Sequence, residues 1–209
     1  MNTTTTAPAE LRGLTLAWLV GLLVSGWGPF DRATWVMEVF PAVTALVMMW
    51  ASRKRLALTR LLYWLIAIHG LILMVGGAYT YARVPLGFWM QDWFGFTRNN
   101  YDKIGHFAQG FIPAIVAREL LIRVFDVPSK KLVAFLCVAI CLAVSAVYEL
   151  LEWWSALWLG QGADAFLGTQ GDPWDTQSDM FFALIGSVVG LALLSGWHDR
   201  QMAGLRTKR

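Results

Sequence analysis

Six long apolar runs, at about residues 14–30, 33–51, 61–82, 104–125, 132–158 and 180–197, occupy most of the chain. Each reaches or approaches the roughly 17–25 residues that a tilted helix needs to cross a hydrocarbon core. The runs are continuous, whereas the strands of a membrane barrel would alternate apolar and polar side chains. Composition closes off the other classes. Of the 209 residues, 57% are AVILMFWYC and only 15% are charged, against about 25% charged in a soluble domain. Too little polar residue is present to cover a water-facing surface, so soluble globular, disordered and disulfide-scaffold classes are poor fits. The expectation is an all-α, polytopic membrane helix bundle, a single membrane domain over residues 1–209 with about six transmembrane helices. The first run is expected to remain as a span, because the leader MNTTTTAPAE has no basic n-region and no A-x-A cleavage pattern follows.

The placement of Lys and Arg tests this drawing. With six spans, the N-terminus, the 52–60 and 118–131 connections and the tail fall on one side, and hold 13 of the 17 basic residues. The opposite side holds Arg32, Arg83, Arg98 and Lys103. Under the positive-inside rule this split puts both termini in the cytoplasm. The run Ser52-Arg53-Lys54-Arg55 then reads as a topology signal rather than a nucleic-acid contact, and no nucleic-acid partner is expected. A basic inner rim suits anionic headgroups, so membrane lipids are the expected general partners. Between residues 159 and 178 there is no Lys or Arg, while Asp164, Asp172 and Asp175 are present and Asp179 follows. Trp27, Trp35, Trp89, Trp93, Trp153, Trp154 and Trp158 fall near the outer boundary, where indole rings prefer to sit. Residues 85–100 are too polar and too rich in Gly and aromatics to span, and read as an interfacial loop. Cys137 and Cys141 share one face of one helix and read as small packing residues.

Polar residues at membrane depth are costly and usually face a bundle interior or a water-filled cavity. Asp102, His106, Gln109 and Pro113 descend one face of the fourth run at spacings of four, three and four. Ser145, Glu149 and Glu152 form a stripe near the outer end of the fifth. Asp175 and Asp179 open the sixth, on the face continued by Ala183, Gly186 and Gly190. Three helix ends thus bring His106, Glu149, Glu152 and Asp179 to a similar depth as candidate catalytic or metal-binding residues. Asp102, Lys103, Gln109, Gln170, Asp172 and Asp175 are candidates for binding a substrate. A structural reading stands beside this one, in which the carboxylates hydrogen-bond His106, Lys103 and loop amides, and Asp102 and Asp179 act as N-caps. Gly186 and Gly190 form a small-xxx-small pattern that fits close helix packing. His69 and Glu38 read as satisfied structural groups more than as site members. Glu119 and Arg123 read as a local ion pair, and His198 as a solvated tail residue.

Three stretches carry a resemblance. They are Tyr101-Asp102-Lys103-Ile104-Gly105-His106-Phe107-Ala108-Gln109-Gly110-Phe111, Tyr148-Glu149-Leu150-Leu151-Glu152-Trp153-Trp154, and Gly168-Thr169-Gln170-Gly171-Asp172-Pro173-Trp174-Asp175-Thr176-Gln177. In these the chain resembles the YjdF-type family of bacterial inner-membrane proteins over nearly its whole length. The resemblance implies location and fold, and carries no activity with it. More distantly, residues 101–190 are similar to VanZ-like membrane proteins. Asp102, Lys103, His106 and Phe107 match the first element of that pattern, Glu149 the second, and Asp179, Gly186 and Gly190 the third. Glu152 stands where that pattern has Gln, and Ala183 where it has Asn. What the likeness implies is a shared helical core over 101–190.

Three functions fit these residues. One is an enzyme acting on a lipid-linked or cell-envelope substrate at the outer leaflet, with His106 and the carboxylates as general acid and base. The same residues could instead hold a divalent metal ion, although neither H-E-x-x-H nor an EF-hand loop is present. Few cations (Arg98, Lys103 and Arg83) lie on that side, which argues against phosphoesterase chemistry. The second is a cation- or proton-coupled transporter, which the apolar stretch between Gln109 and Arg118 disfavours. The third is a structural or partner-binding membrane subunit.

Overall fold

The computed structural model describes residues 8–159 and 169–206. Seven helices lie among them: α1 (Pro8–Gly26), α2 (Arg32–Ser52), α3 (Arg60–Tyr79), α4 (Pro85–Phe94), α5 (Tyr101–Arg123), α6 (Lys130–Leu159) and α7 (Asp175–Arg206). No strand occurs among the described residues. Five helices, α1, α2, α3, α6 and α7, are long and apolar enough to cross a membrane. The chain is a polytopic helical membrane protein. The fourth apolar run corresponds to α5, which is 23 residues long and includes Asp102, Lys103, Arg118, Glu119 and Arg123. It lies among its neighbours, packed most extensively on α7 and also on α6 and α3. Ala114 and Ile115 at its middle are fully buried.

Local chemistry sets the helix ends. Asp31 caps α2, its Oδ1 accepting the Thr34 N–H at 2.7 Å. The chain after α3 turns through two left-handed residues, Thr80 and Tyr81, whose N–H groups reach back to Gly77 and Gly76. The 85–100 stretch, expected as a loop, opens with the ten-residue helix α4. Pro85 at its first turn supplies a pre-set φ, and Gly95 at φ 68° closes it in the left-handed region. At 1.5 Å per residue α4 is about 15 Å long, too short to span. It exposes Trp89, Trp93 and Phe94 and turns Gly87 onto Asn99, whose Oδ1 would lie 1.6 Å from a Cβ there.

The tight α5–α7 pairing follows from small residues. A Cβ on Gly186 would lie 2.1 Å from the Phe107 carbonyl oxygen, and one on Gly110 would lie 1.8 Å from that of Ala183. Such contact lets helices associate where water supplies no hydrophobic drive between them. Cys137 and Cys141 are fully buried in the α5–α6 seam with Ala114, Ala117 and Val133, and the Cys141 thiol faces the Gly110 carbonyl at 3.4 Å. A second core joins Trp18, Ala42, Leu62, Tyr63 and Met74 from α1, α2 and α3 to Ile115. Large side chains such as Leu23, Val24, Val47, Phe135 and Leu193 stand outward, as lipid-facing positions should.

The end of α7 corrects two expectations. The sixth run was expected to stop near residue 197 with His198 solvated, yet α7 continues to Arg206 and His198 is fully buried. Its polar turns stay helical because each finds partners in the bundle. His198 Nε2 donates to Glu119 Oε2 at 2.8 Å, and its Nδ1 faces Arg118 Nη1 at 3.1 Å. A guanidinium can only donate, so Nδ1 is the acceptor and the imidazole is the neutral Nε2–H tautomer. Glu119 also accepts from the Thr59 N–H, the Thr59 hydroxyl and Arg123, so the expected local ion pair is one part of a buried network. Arg118 reaches Asp199 at 2.6 Å, and Gln201 accepts the Leu61 N–H at 2.9 Å. The N-cap reading of Asp102 and Asp179 is corrected as well. Asn100 is the N-cap of α5, and α7 starts four residues before Asp179.

Candidate functional site

At the opposite end of the bundle, α5 and α7 begin side by side where α6 ends. Their first turns carry opposite charges, and those charges meet. Lys103 Nζ donates to Asp175 Oδ1 at 2.7 Å and to Asp179 Oδ1 at 2.8 Å. Arg98, in the connection ahead of α5, reaches Asp175 at 2.7 Å, Asp102 at 2.5 Å and Asp172 at 3.4 Å. Burial opposes the Arg98 charge, and Asp102, Asp175 and Asp179 outweigh it, holding its pKa above the ordinary guanidinium value. Two cations therefore face four aspartates. Asp102, Lys103, Asp172 and Asp175, expected to touch a substrate, are all engaged in this lattice. Gln170 lies outside the cavity described below and forms a reciprocal pair with the Asn99 backbone, at 3.1 and 2.8 Å. Asp172 Oδ1 accepts the Trp174 N–H at 2.9 Å ahead of α7. Asp164 and Gly168 lie outside the described residues.

One turn deeper, the geometry loosens. His106 Nδ1 lies 2.9 Å from Gln109 Oε1, so with Gln109 accepting, the ring proton sits on Nδ1. Its Nε2 is 3.6 Å from Asp179 Oδ1, and its Nδ1 is 3.9 Å from Glu149 Oε1, both longer than hydrogen bonds. Glu149 is 8% exposed, and its buried Oε1 has no hydrogen-bond partner among the described residues. One atom each from His106, Glu149 and Asp179 fall within 4.8 Å of one another. A buried carboxylate oxygen without a partner is costly, since its lost hydration is not replaced. Here it faces an imidazole nitrogen and a second carboxylate.

His106, Gln109, Glu152 and Asp179 line one end of a cavity of about 550 Å³. That volume is in the range of small-molecule and cofactor sites. Below them the walls turn apolar, with Pro41, Ala45 and Met48 of α2, Ile112 and Val116 of α5, and Ile140 and Val144 of α6. α2 packs mainly on α3, and α6 on α5 and α7, so the groove lies between α2 and α6 with α3 and α5 at its back. Tyr148 bridges it, its hydroxyl 3.2 Å from Glu38 Oε2 and 3.3 Å from the Met37 carbonyl. That carbonyl is spare because Pro41, four residues on, has no N–H to give it. Glu38 and His69, expected as structural groups, both line the cavity, and the buried His69 Nε2 has no partner among the described residues. Tyr81 joins them from the left-handed turn. It too lines the cavity. Tyr81 and Tyr148 were missed because nothing in their spacing marks a tyrosine as cavity-lining. The Pro41–Met37 offset was the available signal for Tyr148.

The family described as "Predicted membrane protein (DUF2238)" matches residues 10–200. "Inner membrane protein YjdF" of Escherichia coli (strain K12) is 52% identical over 200 residues, which cover 96% of this chain and 96% of that protein. No solved structure matches.

Proposed function

The chain belongs to the DUF2238 family of membrane proteins and is a multi-pass inner-membrane protein, and from that premise we propose that it binds and acts on an amphipathic, lipid-linked substrate. The observation that carries this reading is the continuity of one cavity, from the His106–Asp179–Glu152 end to the apolar walls between α2 and α6. A polar head among those side chains and an apolar tail in the groove satisfy both halves at once. The Lys and Arg distribution supports six spans, cytoplasmic termini, and a site facing the outer leaflet. Carboxylates outnumber cations at the polar end, which favours a head group rich in hydroxyls or amines over a bare phosphate. His106 with Glu149, Glu152 and Asp179 supplies the general acid and base for opening or transferring a bond in that head group. The apolar lower walls favour a tail over an ion path through the bundle.

The test is native mass spectrometry of the full chain released from mild detergent, with lipid extract of the cell envelope supplied. Wild type is expected to carry one amphiphile per chain. Ala45→Trp, which fills the groove away from the polar end, should abolish that adduct while leaving the melting temperature within a few degrees. An adduct that persists in Ala45→Trp, or none in wild type, overturns the reading.

A further inference from the structure

We infer that His106, Glu149 and Asp179 form a binding site for a divalent transition-metal ion, with α5, α6 and α7 each giving one ligand. The inference deepens the reading of the same cavity, since such an ion would sit where the substrate's polar head enters.

Two independent observations carry it. The first is the grouping itself, three metal-ligating side chains from three helices with one donor atom each inside 4.8 Å. The second is the condition of those donors. Glu149 Oε1 is buried and without a partner among the described residues, on a side chain 8% exposed, and lies 3.9 Å from the His106 ring. Gln109 takes the Nδ1 proton of His106 at 2.9 Å, which leaves the Nε2 lone pair facing Asp179. Metal-bound histidines commonly donate their other ring N–H in this way, fixing the tautomer that ligates. Lys103 donates to Asp179 Oδ1 at 2.8 Å and so orients the second carboxylate.

The donor set selects the ion. One imidazole and two carboxylates suit Zn²⁺, Mn²⁺ or Fe²⁺, whereas Ca²⁺ and Mg²⁺ prefer all-oxygen shells. A doubly charged ion would also offset the Glu149 charge, whereas Asp179 already pairs with Lys103. Three protein ligands leave a coordination position open, and His106 and Asp179 both line the cavity wall. In that position the ion would polarise a substrate oxygen or activate water. Asp102, Asp175 and Asp179 form a second acidic grouping, but Arg98 and Lys103 already neutralise it.

The test is Zn²⁺ and Mn²⁺ binding to the full-length, chelator-stripped protein in detergent, with metal content measured on the same samples as the amphiphile adduct. Wild type is expected to bind one ion per chain and to melt at higher temperature with it. His106→Ala and the isosteric Glu149→Gln should lose stoichiometric binding, and Gln109→Ala should weaken it about 10- to 100-fold. Ala45→Trp should keep the ion while losing the amphiphile, so the two readings fail separately. A wild type that binds neither ion, or a His106→Ala protein that binds as tightly as wild type, overturns the site.

Discussion

The two ends of this bundle each bury a histidine, carboxylates and basic side chains, yet they are built to different standards. Around Glu119 the contacts are short and complete, with His198, Thr59 and Arg123 all donating to one carboxylate. Around Glu149 the nearest cation-capable atom is 3.9 Å away and one oxygen has no partner among the described residues. Both carboxylates are more than nine-tenths buried, so exposure does not explain the difference. A saturated network rigidifies; an unsaturated one holds donor atoms ready for something else. The lesson is that burying charges does not by itself make a site. On the proposed reading, incomplete partnering beside a cavity does.

The largest effect expected follows from breaking the saturated end. Glu119→Ala strands Arg123 and leaves the Thr59 N–H and His198 Nε2–H unpaired, which should cost about 3–5 kcal/mol. Its thermal unfolding in detergent should move down more than that of any variant at the other end. Next comes the seam that both ends share. Gly186→Ala puts a Cβ 2.1 Å from the Phe107 carbonyl and must push α7 off α5, at about 1–3 kcal/mol. Because the seam positions Lys103 against Asp175 and Asp179, this variant should lose metal binding as well as stability, as metal titration with a melting curve would show.

How much of this contrast the sequence carried can be read residue by residue. The helical membrane class was legible because six apolar runs leave few alternatives. The stack of His106, Glu149 and Asp179 was legible because spacing of three or four fixes a helix face, and run order fixes its depth. The Gly186–Gly190 packing face was legible for the same reason. His198 was misread because Asp199 and Arg200 beside it mark a tail, while its burial depends on distant partners such as Glu119, 79 residues away. Helix α4 was missed because its ten residues show no long apolar face, and its ends depend on Pro85 and the left-handed Gly95. Glu38 was undervalued because its role depends on Tyr148, 110 residues on. The partners of Gln170 and Asp172 were not legible. Their place in a polar, aspartate-rich connection looked like a site, and the structure engages them with Asn99, Arg98 and Trp174.

Smaller effects sharpen the picture at the helix ends. Asp31 precedes α2, and the Thr34 N–H holds its carboxyl below the ordinary 3.8. A depressed carboxylate pKa stabilises the fold above the ordinary range, and that contribution fades as pH falls through the folded value. Asp31→Ala should therefore cost about 1 kcal/mol at neutral pH. The gap from wild type should close in acid, which melting curves at neutral and acidic pH would register. Neither polar cluster should respond to this change.

The smallest stability effect is assigned to the residue with the largest functional one. Glu149→Gln keeps the side-chain shape and removes a charge whose Oε1 has no hydrogen-bond partner among the described residues. The most direct measurement is the apparent melting temperature of metal-free Glu149→Gln beside Glu119→Gln, each against wild type in one detergent. The account predicts that Glu149→Gln matches or exceeds wild type while Glu119→Gln falls by several degrees. If Glu149→Gln falls as far as Glu119→Gln, the His106 cluster is a structural lock like its counterpart, and the central claim is wrong.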